Sequence, residues 1–120
     1  MSKIQSSIDK LDLELRRGTL ALAALSQLRT TRHGYSLIRK LTELGLEVEQ
    51  GTLYPLLRRL DEQGLLDSEW NVEGSRPRKY YTISAEGADA LECLSAAWRQ
   101  LAQSMSALLD ESPGGYDEPD

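Results

Sequence analysis

The chain has 120 residues, enough for one domain, and its 40% hydrophobic content supports a modest core that pairing with a second copy would reinforce. No apolar run approaches the roughly 18 residues of a membrane span, and the lone Cys93 excludes a disulfide framework within the chain. The net charge of -5 argues against a nucleic-acid partner until its distribution is read. All 14 Lys and Arg precede residue 110, whereas five of the 19 acids (Asp110, Glu111, Asp117, Glu118 and Asp120) lie at or beyond it, so the body balances 14 acids against 14 bases. What matters for DNA is then whether the bases share a face.

Residues 3–28 read as one helix. Ile4, Ile8, Leu11, Leu15, Leu22 and Leu25 form a single apolar stripe, with Gly18 in its widest gap. Thr30 to Gly34 reads as a loop. A second, short helix covers 35–44, with Tyr35, Ile38, Leu41 and Leu44 expected inward and Gly45 as its stop. A third helix spans roughly 50–63, buries Leu53, Leu56, Leu57 and Leu60, and ends at Gly64. Pro55 is tolerated best in a first turn, which leaves the start of this helix open by several residues.

Two strand-like runs follow, Leu65 to Val72 and Lys79 to Ile83, joined through Gly74-Ser75-Arg76-Pro77-Arg78 as a hairpin. Ser84 has the position of an N-cap, and Gly87 is tolerated early in the helix after it. That last helix, 84–109, is about 39 Å long. Leu91, Leu94, Trp98, Leu101, Met105 and Leu108 repeat along it at alternating steps of three and four, a heptad seam that calls for a partner helix. Residues 110–120 are rich in Pro, Gly and acids and read as a disordered tail.

The fold expected is mainly α with a small β-hairpin: a winged helix-turn-helix over 1–83, a dimerisation helix over 84–109, and the acidic tail. A helix fits the B-DNA major groove and reads it with donors on its outward face. On the third helix that face carries Gly51, Pro55, Arg58 and Glu62, flanked by Thr52, Tyr54 and Arg59. Arg58 can reach a guanine edge or a phosphate, and Arg59 is placed better for a phosphate. The hairpin adds Arg76, Arg78 and Lys79, a basic wing suited to the DNA backbone or the minor groove, stiffened by Pro77. Arg32, His33, Tyr35, Ser36, Arg39 and Lys40 surround the second helix within reach of phosphates. Basic residues on one helix are most often a solvated face; here the recognition helix and the wing are both basic, in the right order.

Several segments resemble the motif series of the PadR family of transcriptional regulators. They are Leu15-Arg16-Arg17-Gly18-Thr19-Leu20, His33-Gly34-Tyr35, Gly51-Thr52-Leu53-Tyr54-Pro55-Leu56-Leu57-Arg58-Arg59-Leu60, Gly64-Leu65-Leu66, and Arg76-Pro77-Arg78-Lys79-Tyr80-Tyr81. The resemblance covers roughly 13–109. It implies a homodimeric winged-helix regulator of double-stranded DNA, usually a repressor released by a small molecule or another signal. By it, Thr52, Tyr54, Pro55 and Arg58 map to the recognition helix, and Arg76 to Lys79 to the wing. The acidic tail departs from the pattern and takes no role from it. The short final helix is similar to that of the compact subgroup. Trp98 resembles the tryptophan at the dimer centre of multidrug-responsive members, where a flat aromatic compound stacks between the two copies.

Trp98 thus carries two readings: a packing aromatic on the dimer seam, or, with Leu94 and Ala97, a platform for a planar aromatic effector. The dimer is expected to join the seam of the last helix to Ile4, Ile8, Leu11 and Leu15, and two-fold symmetry predicts a pseudo-palindromic operator. Tyr80 and Tyr81 alternate, one inward and one at the wing base, and Trp70 is expected to pack in the hairpin. His33, without metal-ligand neighbours, reads as a loop residue or a phosphate contact. Cys93 reads as a buried, inert thiol in preference to a redox switch. With one histidine, no Cys/His cluster and no GxxxxGK loop, neither catalytic residues nor a cofactor is expected. A protein-interaction module is the alternative from another class, and a ligand-independent repressor is the alternative within this one. A cytoplasmic location fits both.

Overall fold

The computed structural model describes residues 2–117. Helices α1 (Lys3–Arg17) and α2 (Leu20–Gln27) lead to a two-residue strand β1 (Arg32–His33). Helices α3 (Gly34–Glu43) and α4 (Gln50–Glu62) follow, then strands β2 (Leu66–Asn71) and β3 (Arg78–Ile83), and finally α5 (Ala85–Leu109). The sheet is antiparallel, in the order β1-β3-β2. Three helices, a hairpin and a small third strand make the winged helix, and α5 extends from it. Residues 110–117 hold no helix or strand, and Glu118 and Asp120 of the expected tail lie outside the described residues.

The helix expected over 3–28 is two helices. Ser2 caps α1, its hydroxyl accepting from the Gln5 N–H at 3.1 Å. At the other end the Arg16 carbonyl accepts from both the N–H (3.1 Å) and the hydroxyl (2.9 Å) of Thr19. This tight turn replaces the helical ladder at Gly18 and Thr19 and separates α1 from α2. The apolar stripe survives the break, so periodicity alone reads straight through it.

The core forms around α2. Leu20, Ala24, Leu25 and Leu28 meet Leu37 and Leu41 of α3, Leu53, Leu56, Leu57 and Leu60 of α4, and Leu66 of β2. All four leucines expected inward on α4 are buried. The expected inner face of α3 is partly wrong. Leu37 is fully buried, whereas Tyr35 and Leu44 are 53% and 62% exposed: the inner stripe is Leu37, Ile38 and Leu41, and Leu44 is the cap residue past the end of the helix. Pro55 is the sixth residue of α4, deeper than a first turn, and deprives the Gly51 carbonyl of its helical donor without ending the helix.

Long-range bonds fix the expected loop at Thr30 to Gly34. Arg32 pairs with Tyr81 and His33 with Tyr80. The Ile83 N–H donates to the Leu28 carbonyl at 2.8 Å, and the Thr31 and Thr82 hydroxyls lie 2.7 Å apart. Ser84 caps α5 as expected; its hydroxyl accepts from the Gly87 N–H at 3.0 Å and donates to the Gly64 carbonyl at 2.6 Å. Gly87 is required there. A Cβ at that position would collide with the Leu65 carbonyl and meet the Ile83 side chain at 2.8 Å.

Candidate nucleic-acid interface

A concavity of about 800 Å³ lies between α4 and the β2–β3 wing. The cations Arg58 from α4 and Arg76, Arg78 and Lys79 from the wing line it, with the aromatics Tyr35, Tyr54 and Trp70. Residues 58 and 76–79 are separated in sequence and reach one surface because α4 packs against β2 through Leu56, Leu60 and Leu66.

Two junctions set the angle between helix and wing. Asp61 on α4 accepts from the Ser68 hydroxyl of β2 at 2.7 Å and faces the Lys79 ammonium of β3 at 3.5 Å. Lys79 also lies over the Tyr81 ring, 5.6 Å from its centroid. This lysine is therefore shared between holding the wing and facing a ligand, whereas Arg58 and Arg76 are exposed.

The second junction is His33, which caps α3. Its Nδ1 lies 3.3 Å from the Ser36 N–H, and its Nε2 lies 3.1 Å from Arg78 Nη1. Its ring meets Tyr80 edge-on at 5.4 Å. Both ring nitrogens face N–H donors, and a neutral imidazole accepts from only one. The Ser36 cap and the Arg78 contact are therefore alternatives. Burial, then the positive charges of Arg78 and Arg39, push His33 below its ordinary value of 6.5.

The expected DNA-binding residues divide on this geometry. Tyr35, Tyr54, Arg58, Arg76, Arg78 and Lys79 come together in the concavity. Tyr54 crosses the start of α3, its ring seated where a Cβ on Gly34 would stand. Pro55 and Arg59 are exposed on α4 outside the concavity, and Thr52 lies on the other flank of the helix, beside Arg16 and Arg17. Ser36 is turned inward, its hydroxyl donating to the His33 carbonyl at 2.9 Å. Arg32 is tied to the Gln27 carbonyl at 3.0 Å, and Arg39 lies over the Tyr35 ring. Gln50 also lines the concavity without having been singled out in the sequence, and Trp70, expected to pack in the hairpin, is 63% exposed.

The arrangement of two helices, a basic second helix and a basic wing is that of a DNA-binding winged helix. Residues 22–93 match the transcriptional regulator PadR-like family over more than half of the chain. The chain belongs to the PadR family of transcriptional regulators. A crystal structure of a PadR family transcriptional regulator from Eggerthella lenta superposes with a TM-score of 0.86 at 45% identity, covering 91% of this chain and 97% of that one. A PadR-like transcription factor from Bacteroides fragilis superposes with a TM-score of 0.68 at 34% identity, covering 82% and 98%. A transcriptional regulator of Mycobacterium tuberculosis is 41% identical over 71 residues, 59% of this chain and 66% of the relative, just under two thirds of its length.

As a PadR regulator the chain falls in a non-enzymatic class whose work is DNA-binding regulation. Among the described residues no helix is long and apolar enough to cross a membrane, and no cluster of three His, Cys, Asp or Glu could hold a metal ion. Cys93, expected to be buried, is exposed on α5. Trp98, 47% exposed, lines a groove of about 750 Å³ between α2 and α5 with Leu22, Leu91 and Ser95. Leu94 and Ala97 are exposed and stand outside that groove.

Proposed function

We propose that this PadR regulator is a homodimeric repressor that inserts α4 of each copy into a major groove and lays each wing along the adjacent backbone. The supporting observation is the convergence of Arg58, Arg76 and Arg78 on one concavity. Arg58, on the outward face of α4, reads base edges; Arg76, Arg78 and Lys79 hold phosphates; Tyr35, Tyr54, Thr52, Pro55 and Arg59 shape the approach. Ser36 acts through the α3 cap. The operator is pseudo-palindromic, with half-sites one helical turn or a multiple apart. The protein works in the cytoplasm, where its operator is found.

An anisotropy titration of variants tests the assignment. Arg58→Ala costs about 1–3 kcal/mol on the operator and relaxes base preference. Arg76→Ala lowers affinity for every duplex and reduces the salt slope by about 1. Equal losses on operator and random DNA for Arg58→Ala would remove its reading role.

Dimerisation uses the seam of α5 and the stripe of α1. Leu94, Trp98, Leu101, Met105 and Leu108 are 42–64% exposed, and Ile4, Ile8, Leu11 and Leu15 are 50–72% exposed. Leu91 joins the seam to the core. A planar aromatic effector stacks on Trp98 near the dimer axis, flanked by Leu94 and Ala97, and releases the DNA. Trp98→Ala should keep operator affinity and abolish release by such compounds; a ligand response that survives the change would rule this effector site out.

A further inference from the structure

The alternation of β2 puts Leu66, Ser68 and Trp70 on one face, opposite Ile83, Tyr81 and Lys79 of β3. That face looks toward α4. Leu66 belongs to the core, Ser68 bonds to Asp61 of α4, and Trp70 is the next step outward. The core stops short of it, and its indole stands 63% exposed at the rim of the basic concavity. Its cross-strand neighbour Lys79 turns toward Asp61 and Tyr81.

An indole exposed beside cations gains free energy when whatever occupies the concavity covers its ring. The cations sharing its concavity select a polyanion as the occupant. A DNA backbone presents phosphates alternately with deoxyribose rings, whose faces are apolar, and proteins contact both. The two kinds of side chain on this rim, guanidinium and indole, match those two kinds of surface. An acidic protein segment would satisfy the cations and leave the indole without an apolar counterpart of fixed spacing.

We propose that Trp70 is a DNA-contacting residue that packs its ring against a deoxyribose of the strand whose phosphates Arg76 and Arg78 hold. The inference rests on the DNA interface proposed above. An apolar contact releases no counterions, so its contribution is independent of salt, unlike that of the arginines. It also carries no base preference.

The test is an anisotropy titration of wild type, Trp70→Phe and Trp70→Ala on the chain's own upstream promoter duplex and on a random duplex, at several salt concentrations. Trp70→Ala should lower affinity about tenfold on both duplexes at every salt concentration, with the log–log salt slope unchanged. Trp70→Phe should recover most of the loss. Full affinity in Trp70→Ala, a reduced salt slope, or a loss confined to the promoter duplex would each overturn the sugar contact. So would a Trp70→Ala chain that circular dichroism shows unfolded, since the indole would then hold up the hairpin. Failure of the wild type to bind either duplex would instead defeat the DNA interface itself.

Discussion

One imidazole joins the two halves of the basic face. His33 turns Nδ1 to the start of α3 and Nε2 to Arg78 of the wing, and its one acceptor nitrogen serves either of them. Burial and the nearby Arg78 and Arg39 hold it below 6.5, so the folded chain binds fewer protons than the unfolded one. The contribution of this group to stability is therefore fully present above 6.5 and is lost as the pH falls below it, until the folded state protonates as well. Thermal melts at about pH 7.5 and about pH 5.5 should show a larger drop for the wild type than for His33→Gln. Gly87 gives a prediction independent of DNA. With the Leu65 carbonyl against its Cα, Gly87→Ala should cost about 3 kcal/mol in urea unfolding, by forcing α5 off the sheet. The sequence marks Gly87 as tolerated and His33 as a loop residue, because both roles come from atoms distant in the chain.

The elements that carry the site were the most legible. The inward leucines of α4, the hairpin with its basic tip, and the Ser84 cap each depend on neighbours in sequence, and each stands as expected. The failures share a cause. The stripe from Ile4 to Leu25 continues across Gly18, but Thr19 closes a tight turn there, which splits the expected helix. Strand β1 has two residues and exists only through pairing with β3, some 50 residues away, so local pattern offers no sign of it. Trp70 has the alternation of a packed strand residue, yet only Leu66 of β2 is buried, and Ser68 and Trp70 beyond it are exposed. Asp61 was silent for the same reason, and it sets the angle between α4 and the wing. Asp61→Ala removes a negative charge from the DNA face and frees the wing. Binding to random duplex should rise while the operator-to-random ratio falls about tenfold. An unchanged ratio would show that the wing holds its angle without Asp61.

The molecule is extended, at 66 × 39 × 23 Å, with a radius of gyration of 18.6 Å against about 14 Å for a compact chain of this length. Helix α1 buries none of its residues, and the distal half of α5 leaves its seam in water. This shape is understandable as half of a dimer, and a second copy would cover both stripes. Leu94→Asp combined with Leu101→Asp should give monomers or unfolded chain in sedimentation equilibrium; a stable dimer with both changes would rule that seam out. In the proposed dimer a two-fold axis would repeat the basic concavity, once for each half-site. Whether the face between α4 and the wing is a sequence-specific DNA interface is decided by titrating the wild type against its upstream promoter duplex and a random duplex at two salt concentrations. Binding should be salt-dependent and should favour the promoter by at least about a thousandfold. Weak binding of equal strength to the two duplexes would contradict it and turn the basic face toward a protein partner.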